Sequence, residues 1–206
     1  MITAIIQARL GSTRLPRKAL ADIGGKTLIR RVVDRAQKIR QVDRLMLAIP
    51  GSEREQWRGV DVGAVKIVFV NGIHESDLLG RYASTLRLEP DTRICVRITG
   101  DCPLLSPEIA DLVIATYRAR GDVDYLSNVA PGYVDGTDVE VFSAEALFRA
   151  DREATDPEDR EHVGRWMSRN LRKGLVYPFH ASKVMKTSVD TEADLALVRE
   201  LVACGA

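Results

Sequence analysis

Short apolar runs alternate with amphipathic segments along most of this chain, and this alternation constrains the fold more than any other feature of the sequence. The first run, residues 2–7, is almost continuously apolar and leads into a stretch that contains a glycine, which is typical of a strand buried on both faces of a sheet. Similar runs follow at 44–49, 65–70 and 93–98. The sequence therefore predicts an α/β fold, a Rossmann-like three-layer sandwich in which helices cover both faces of a mostly parallel sheet.

The helices are marked by periodicity and by capping residues. In the segment 27–40, apolar side chains recur on one helical face, and Thr27 is a suitable N-cap. Two later helices are predicted where an N-cap residue precedes a proline and an acid, at Ser106-Pro107-Glu108 and at Asp156-Pro157-Glu158.

The length of the chain predicts a single domain. A chain of 206 residues, 45% hydrophobic, can bury one substantial core, and nothing in it demands a second. The stretch 128–143 interrupts the alternation with a turn-rich, acidic segment that runs into another apolar stretch. We expect one domain over residues 1–206, with a substrate-binding excursion around 128–143.

Charge and cysteine content indicate which kinds of partner and which cellular compartment to expect. The 30 Lys and Arg against 29 Asp and Glu leave a net charge of +1, which favours neither nucleic acid nor an anionic membrane as a partner. Three cysteines without CxxC spacing predict neither a disulfide framework nor a zinc knuckle. The N-terminal apolar run is too short for a signal peptide or a membrane span. We expect a soluble, cytoplasmic protein.

The segment after the first predicted strand carries most of the chemical information. Residues 9–18, Arg-Leu-Gly-Ser-Thr-Arg-Leu-Pro-Arg-Lys, hold four cations, one glycine and two hydroxyls. Backbone N–H groups freed by Gly11 can cradle phosphate oxygens while arginine and lysine side chains neutralise them. Neither a Walker motif nor the dinucleotide fingerprint is present. The pattern favours a polyphosphate ligand, with a solvated basic loop as the alternative.

Residues 7–18 also resemble the signature loop of the cytidylyltransferases that activate acidic sugars. These are the acylneuraminate and 3-deoxy-manno-octulosonate cytidylyltransferases, and especially their spore coat polysaccharide branch. Further segments resemble that branch in the same order, at 79–82, 97–104, 127–128, 135–142, 161–163 and 189–195. The resemblance implies a fold of the nucleotide-diphospho-sugar transferase type, CTP and an acidic sugar as substrates, Mg²⁺ as cofactor, and a homodimer.

The resemblance implies roles for individual residues as well. Lys18, Arg14 and Asp101 would be catalytic, with Lys18 closest to the reacting phosphorus, and Asp101 and Asp190 would hold Mg²⁺. The implied nucleotide-binding residues are Ala8, Arg9, Gly11, Ser12, Arg14, Lys18, Arg81 and Thr99. The implied sugar-binding residues are Asn128, Asp135, Asp138, Glu140, Glu161 and His162.

These residue types suit the transfer of CMP from CTP with release of pyrophosphate. Magnesium is usually held by one or two carboxylates together with substrate phosphates, and a basic loop can stabilise the departing pyrophosphate. Catalysis would consist of positioning and charge stabilisation, without a covalent enzyme intermediate.

One position departs from the family pattern. Arg17 stands where the family usually has glycine. The substitution predicts either a different path for the loop or an additional contact to phosphate.

Several of the implied site residues have structural alternatives. Asp190 precedes Thr191 and Asp194, whose spacing is that of a capping box for a last helix. Asp101, which precedes Cys-Pro, can close a turn, and the acids of 135–140 can belong to a solvated turn and strand. A zinc site is not predicted, because the three histidines are scattered along the chain: His74, His162 and His180.

Two other functions remain open. Asp122-Val-Asp124 superficially resembles the Asp-x-Asp motif of glycosyltransferases that use nucleotide sugars, although it also fits the start of a strand. The second alternative is a nucleotide-binding module without catalysis, which only the Arg17 departure supports.

Overall fold

The computed structural model describes residues 1–129, 132–178 and 185–206. Its strands are β1 (Ile2–Gln7), β2 (Asp22–Ile23), β3 (Lys26–Thr27), β4 (Arg44–Pro50), β5 (Lys66–Val70), β6 (Ile94–Thr99), β7 (Tyr125–Ser127), β8 (Glu140–Ser143) and β9 (Lys173–Leu175). Its α-helices are α1 (Leu28–Ala36), α2 (Leu78–Leu86), α3 (Pro107–Arg120), α4 (Ala144–Glu153), α5 (Pro157–Glu161), α6 (Val163–Asn170) and α7 (Glu192–Ala203). Short 3₁₀ turns lie at Lys18–Leu20 and Gly51–Glu53.

Seven strands form one sheet in the order β5-β4-β1-β6-β8-β7-β9. Within the described residues, β8 alone runs against its neighbours, so the mostly parallel sheet is confirmed. At the centre, Gln7 pairs with Ala48 on one side and Thr99 on the other. The loops after β1, β4 and β6 therefore leave the sheet at the same end, which is where α/β proteins bind ligands.

Helices pack on both faces of the sheet, as predicted. One apolar cluster joins Ala4 and Ile6 of β1 to α1, α3 and α7. A second cluster joins Ile5 of the same strand to α2, α4 and α6. The alternation along β1 follows from the two-residue period of a strand, which sends successive side chains to opposite faces. The three-layer sandwich is thereby confirmed.

The predicted helix starts are confirmed by cap geometry. The side chains of Thr27, Ser106 and Asp156 accept hydrogen bonds from backbone N–H groups in the first turns of α1, α3 and α5. The prediction of 27–40 for the first helix was too long, because α1 ends at Ala36. After Ala36 the backbone N–H groups of Lys38 and Ile39 bond to the carbonyls three residues earlier, as in a 3₁₀ turn, and the α-helix ends. Ile39 nevertheless remains buried.

The excursion predicted at 128–143 is described except for residues 130 and 131. Its part after the gap forms turns and then returns to the sheet as β8, between β6 and β7. Asp135 also forms an isolated bridge to Lys186. Among the described residues, no helix combines the length and apolar character needed to cross a bilayer.

Candidate active site

A cleft of about 360 Å³ opens at the carboxyl ends of β1 and β6. The loop that follows β1 forms one wall. The other wall is formed by Gly100 and Asp101, in the turn after β6, and by Asp190, which precedes the N-cap of α7. Many of the predicted site residues line it: Ala8, Arg9, Ser12, Arg14, Lys18, Thr99, Asp101, Glu161 and Asp190. The cleft thus brings together the predicted phosphate loop and both predicted metal carboxylates.

Close packing of strand ends shapes the floor of this cleft. A Cβ at Gly100 would lie 2.4 Å from the carbonyl oxygen of Gln7, closer than real Cβ atoms approach backbone. The N–H of Gly100 donates to that same carbonyl at 3.0 Å. Glycine at position 100 therefore lets the turn carrying Asp101 press against the end of β1.

The side chain of Lys18 joins the two predicted metal carboxylates. Its ammonium lies 2.9 Å from Oδ2 of Asp101 and 2.9 Å from Oδ1 of Asp190, and it donates to the carbonyl of Val189 at 2.7 Å. All three donors of the ammonium thus have partners. That Lys18 lies closest to the reacting phosphorus, as the family resemblance implies, stays a prediction; in this structure the ammonium contacts the two carboxylates.

Asp190 lies among several cations. Besides Lys18, Arg14 contacts its Oδ1 at 3.0 Å and Lys186 contacts its Oδ2 at 3.3 Å. Burial raises the pKa of Asp190, but hydrogen bonds and charge from Lys18 and Lys186 outweigh it, so that the pKa is lowered overall. The carboxylate is therefore held in its charged form.

The structural alternative for this segment is also present. Thr191 and Asp194 form a complete capping box at the start of α7, and Asp194 accepts from the N–H of Asp190 at 3.0 Å. Capping is thus carried by Thr191 and Asp194, and the carboxylate of Asp190 is left to face the cleft.

The loop after β1 makes contacts with Glu75 and within itself. Arg9 lies 3.7 Å from Glu75, and a Cβ at Gly11 would meet that carboxylate at 2.3 Å. The hydroxyl of Ser12 accepts weakly from the N–H of Leu15, at 3.4 Å. Gly11 itself does not line the cleft.

Arg17 adopts a backbone conformation that favours glycine. Its φ of 58° and ψ of 25° are left-handed, and no other non-glycine residue among those described has a positive φ. The arginine side chain is exposed, and it makes no hydrogen bond or ion pair with the described part of the chain. The departure from the family pattern therefore places arginine at a turn that glycine would form with less strain.

Arg81 and Thr99 occupy different environments. Arg81 is 1% exposed, donates to the carbonyl of Glu75 at 2.6 Å, and does not line the cleft. Burial and then the nearby charge of Arg9 lower its pKa. Thr99 lines the cleft, and its hydroxyl lies 2.9 Å from the thiol of Cys102.

A second cleft of about 270 Å³ adjoins the first. Arg97 lines both clefts. The predicted sugar-binding residues Glu140 and His162 line the second cleft, together with Tyr125 and Gly164.

Arg97 and Glu140 form a buried ion pair between the two clefts. Nη1 of Arg97 donates to Oε1 of Glu140. Burial lowers the pKa of Arg97, but the charge of Glu140 leads the effects that raise it overall, so the guanidinium stays charged. Nε of Arg97 and Oε2 of Glu140 are buried without a hydrogen-bond partner among the described residues. One is a donor and the other an acceptor.

Three other predicted sugar-binding residues line neither cleft: Asn128, Asp135 and Asp138. Asn128 is fully buried, donates to the carbonyl of Thr137 at 3.0 Å and accepts from the N–H of Val139 at 2.7 Å. Asp135 accepts from the hydroxyl of Ser188 at 2.9 Å. Burial, followed by the charges of Asp135 and Glu140, raises the pKa of Asp138 to about 6.

The two described histidines have different surroundings. His74 bonds to Ser76 and His162 lines the second cleft, while His180 lies outside the described residues. Across 1–129, 132–178 and 185–206, no group of three or more His, Cys, Asp or Glu side chains could hold a metal ion.

The sequence profile of one protein family, described as Cytidylyltransferase, matches residues 3–202. The chain belongs to the cytidylyltransferase family. It is therefore a nucleotidyltransferase, and the family predicted from the loop and the later motifs is confirmed.

This cytidylyltransferase has curated relatives of moderate identity. It is 34% identical over 167 residues to the spore coat polysaccharide biosynthesis protein SpsF of Bacillus subtilis, covering 79% of the chain and 68% of that protein. It is 34% identical over 139 residues to a 3-deoxy-manno-octulosonate cytidylyltransferase of Anaeromyxobacter dehalogenans, covering 67% of the chain and 56% of that protein. An uncharacterized protein of Methanocaldococcus jannaschii is 29% identical over 210 residues, covering 97% and 82%.

Solved structures share the fold of this cytidylyltransferase. A cytidylyltransferase from Leptospira borgpetersenii superposes with a TM-score of 0.87 at 23% identity, covering 100% of this chain and 87% of that one. A CMP:2-keto-3-deoxy-manno-octonic acid synthetase complexed with CTP superposes at 0.76 and 20% identity, covering 100% and 99%. A Mycobacterium tuberculosis protein in complex with manganese superposes at 0.66 and 20%, covering 97% and 98%.

Arg97 lines both clefts but was not among the predicted site residues. It lies two positions before Thr99 on β6, and residues two apart on a strand face the same side. The two-residue period of the strand could therefore have placed Arg97 on the same side as Thr99. Tyr125, Gly164, Arg165 and Ser168 also line the second cleft, and no local pattern marked them.

Proposed function

We propose that this cytidylyltransferase transfers CMP from CTP to an acidic sugar and releases pyrophosphate. The observation that carries the proposal is the first cleft, where a cationic loop faces two carboxylates at the carboxyl ends of parallel strands. A nucleoside triphosphate requires both features, since cations offset the charge of its phosphates and carboxylates share a divalent ion with it.

The loop residues would hold the triphosphate. The side chain of Arg14 is 66% exposed, so its guanidinium can turn from Asp190 towards phosphate. Arg9 is paired only at long range with Glu75, at 3.7 Å. One guanidinium group can donate two parallel hydrogen bonds to a phosphate, and the backbone N–H groups of the loop add further donors.

The two carboxylates fit a divalent cation. Asp101 and Asp190 already share one cation, the Lys18 ammonium, and both side chains remain partly exposed to the cleft. One or two carboxylates plus substrate phosphates are the usual ligands of Mg²⁺, and the manganese complex of a structural neighbour supports a divalent ion in this fold. When bound, such an ion would neutralise negative charge on the phosphate that is attacked.

The second cleft would receive the sugar. Arg97, Glu140 and His162 line this cleft, and side chains of these types can bind sugar hydroxyls and a sugar carboxylate. The oxygen of the reacting hydroxyl forms a bond to the α-phosphorus and loses its proton, while the bond from that phosphorus to the bridging oxygen breaks and pyrophosphate leaves. The acidic character of the sugar rests on the names of the relatives.

We also propose that the protein acts in the cytoplasm as a homodimer of single nucleotidyltransferase domains. The family resemblance supports the dimer, and a single seven-stranded sheet that includes both β1 and β9 supports one domain. Sedimentation equilibrium of the purified chain tests the dimer.

Pyrophosphate release tests the reaction. The protein is incubated with Mg²⁺ and each of CTP, UTP, ATP and GTP, against a panel of 2-keto-3-deoxy sugar acids, with sugar 1-phosphates as a control class. We expect release only with CTP plus a keto-sugar acid. Asp101→Asn and Asp190→Asn should each lower this turnover about 100-fold or more, because they remove charge from the site.

Asp122→Asn is the matched control for the aspartate variants. Asp122 is exposed and pairs with Arg120, and Asp124 pairs with Arg172, so neither faces the clefts. Unchanged turnover is expected. Release of a nucleotide from a sugar donor, or CTP binding without turnover, would instead support the glycosyltransferase or the silent module.

A further inference from the structure

A buried carboxylate lies directly beneath the loop that follows β1. Glu53 ends the 3₁₀ turn after β4 and is 7% exposed. Both of its oxygens accept from the N–H of Leu10, at 2.8 and 3.0 Å. Its Oε2 also accepts from the indole N–H of Trp57, at 2.9 Å. Neither the sequence motifs nor the family resemblance drew attention to this residue.

The N–H of Leu10 needs such a partner. Strand β1 ends at Gln7, so no neighbouring strand pairs with Leu10, which is 5% exposed. A buried backbone N–H without an acceptor destabilises the conformation that buries it. Glu53, 43 residues away along the chain, supplies the acceptor.

Leu10 is also the point to which the loop returns. Its carbonyl accepts from the N–H of Ser12 at 2.9 Å and from the N–H of Arg17 at 3.0 Å. Fixing Leu10 therefore fixes both ends of the segment that carries Ser12 and Arg14 into the cleft. A shift of about an ångström in such a segment is enough to weaken binding strongly.

Only a carboxylate meets the geometry of this contact. Oε1 receives one N–H and Oε2 receives two, so both terminal atoms must be acceptors. The side-chain amide of glutamine could be placed in two orientations, with its NH₂ group at the position of Oε1 or of Oε2. In the first the NH₂ group would face the N–H of Leu10, and in the second it would face the N–H groups of Leu10 and Trp57.

Electrostatics argues against a direct role for Glu53 in attracting the nucleotide. A carboxylate beneath an anion-binding loop repels phosphate, and this one is buried near the guanidinium of Arg81. Its benefit must come through the position of the backbone.

We propose that Glu53 is a positioning residue that holds the phosphate-binding loop in its binding conformation through Leu10. The proposal rests on the proposed function, in which this loop binds the triphosphate of CTP. It predicts that loss of the paired acceptor weakens CTP binding while the chemical step is little changed once CTP is bound.

The test compares CTP binding by calorimetry and the KM and kcat of pyrophosphate release for Glu53→Gln, Glu53→Asp and the unaltered chain. We expect Glu53→Gln to weaken CTP binding about tenfold and to raise the KM for CTP equally, with kcat within about twofold. Glu53→Asp keeps the charge but retracts the carboxylate, so its CTP binding should also fall. Glu55→Gln is the control, since Glu55 is exposed and pairs only with Arg58.

A coupled variant separates geometry from general damage. Trp57→Phe removes the second donor, so that glutamine at 53 can offer its oxygen to Leu10 with less conflict. Glu53→Gln should therefore cost less CTP affinity in the Trp57→Phe background than alone. A merely structural role would lower the unfolding temperature without this recovery.

The outcomes are distinct. If the unaltered chain binds CTP and the Glu53 variants bind it equally well, the positioning role is wrong and the proposed function stands. If Glu53→Gln does not fold, Glu53→Asp decides the matter in the same way. If the unaltered chain does not bind CTP, the proposed function fails and the role of Glu53 fails with it.

Discussion

The ammonium of Lys18 lies 2.9 Å from Oδ1 of Asp190, so a lysine already occupies the position between the two carboxylates proposed to hold the metal. The same ammonium lies 2.9 Å from Asp101. A divalent cation must therefore compete with Lys18 for these carboxylates. Phosphates give the lysine another partner, which links release of the carboxylates to arrival of the nucleotide.

Removing this lysine should separate metal binding from turnover. We expect Lys18→Met to bind Mn²⁺ more tightly than the unaltered chain in the absence of nucleotide, by about tenfold, because two carboxylates lose their internal cation. Turnover should fall about 100-fold or more, because the variant lacks the positive charge that would stabilise the phosphates during the reaction. Electron paramagnetic resonance of free Mn²⁺ measures the binding.

Lys38→Met is the matched control, because Lys38 is exposed at the end of α1. It should change neither quantity. Mn²⁺ binding by Lys18→Met that is no tighter than that of the unaltered chain would show that the lysine does not compete with the ion.

Arg17 offers a test of backbone strain. A non-glycine residue in the left-handed region costs about 1–2 kcal/mol, and glycine at this position removes that cost at the expense of some unfolded-state entropy. We therefore expect Arg17→Gly to raise the free energy of unfolding by about 0.5 kcal/mol, measured by denaturant titration. Arg17→Ala removes the same charge but keeps a Cβ, so it should give no gain.

The same pair of variants decides whether Arg17 contacts phosphate. Equal losses of CTP affinity in Arg17→Gly and Arg17→Ala would assign the effect to the lost charge. Unchanged affinity in both would show that arginine at 17 contributes only strain.

Asp138 should make stability depend on pH. Its pKa is raised to about 6 in the folded chain by burial and by Asp135 and Glu140, against about 4 when unfolded. The folded state thus binds more protons between these values, so stability falls as pH rises from about 4 to about 6 and stays lower above that.

Asp138→Asn removes the group that titrates. Relative to the unaltered chain, the variant should gain about 1 kcal/mol of unfolding free energy above pH 6 and nothing below pH 4, a figure reduced for the partial exposure of the carboxyl. Denaturant titrations at pH 4 and pH 8 measure it. Asp122→Asn is the contrast, because Arg120 lowers the pKa of that exposed carboxyl and no gain is expected.

Gly100 should tolerate no side chain. Alanine would bring a Cβ within 2.4 Å of the Gln7 carbonyl, and backbone on both sides must then move. We expect Gly100→Ala to lower the free energy of unfolding by about 2 kcal/mol or more. Gly11→Ala meets only the exposed end of Glu75, which can rotate away, so its cost should be smaller. Similar unfolding temperatures for both variants would contradict the close packing of β1 and β6.

Local sequence patterns predicted the elements of this protein well. The apolar runs gave β1, β4, β5 and β6 to within a residue or so at each end. The caps at Thr27 and Ser106 were correct because a cap depends on residues three positions apart. The end of α1 was missed, since the balance between α and 3₁₀ hydrogen bonds in a last turn leaves little trace in the sequence.

What the sequence by itself determined is therefore local: which segments form strands and helices, and, through its family motifs, which loop and aspartates belong to the candidate site. The tertiary structure decided which of them meet. Lys18 reaches Asp101 and Asp190 across 83 and 172 residues, Glu53 reaches Leu10 across 43, and Arg97 faces two clefts only because β8 inserts beside β6. Periodicity and capping report interactions within a few residues, whereas these contacts depend on the order in which strands pack, which no local pattern encodes.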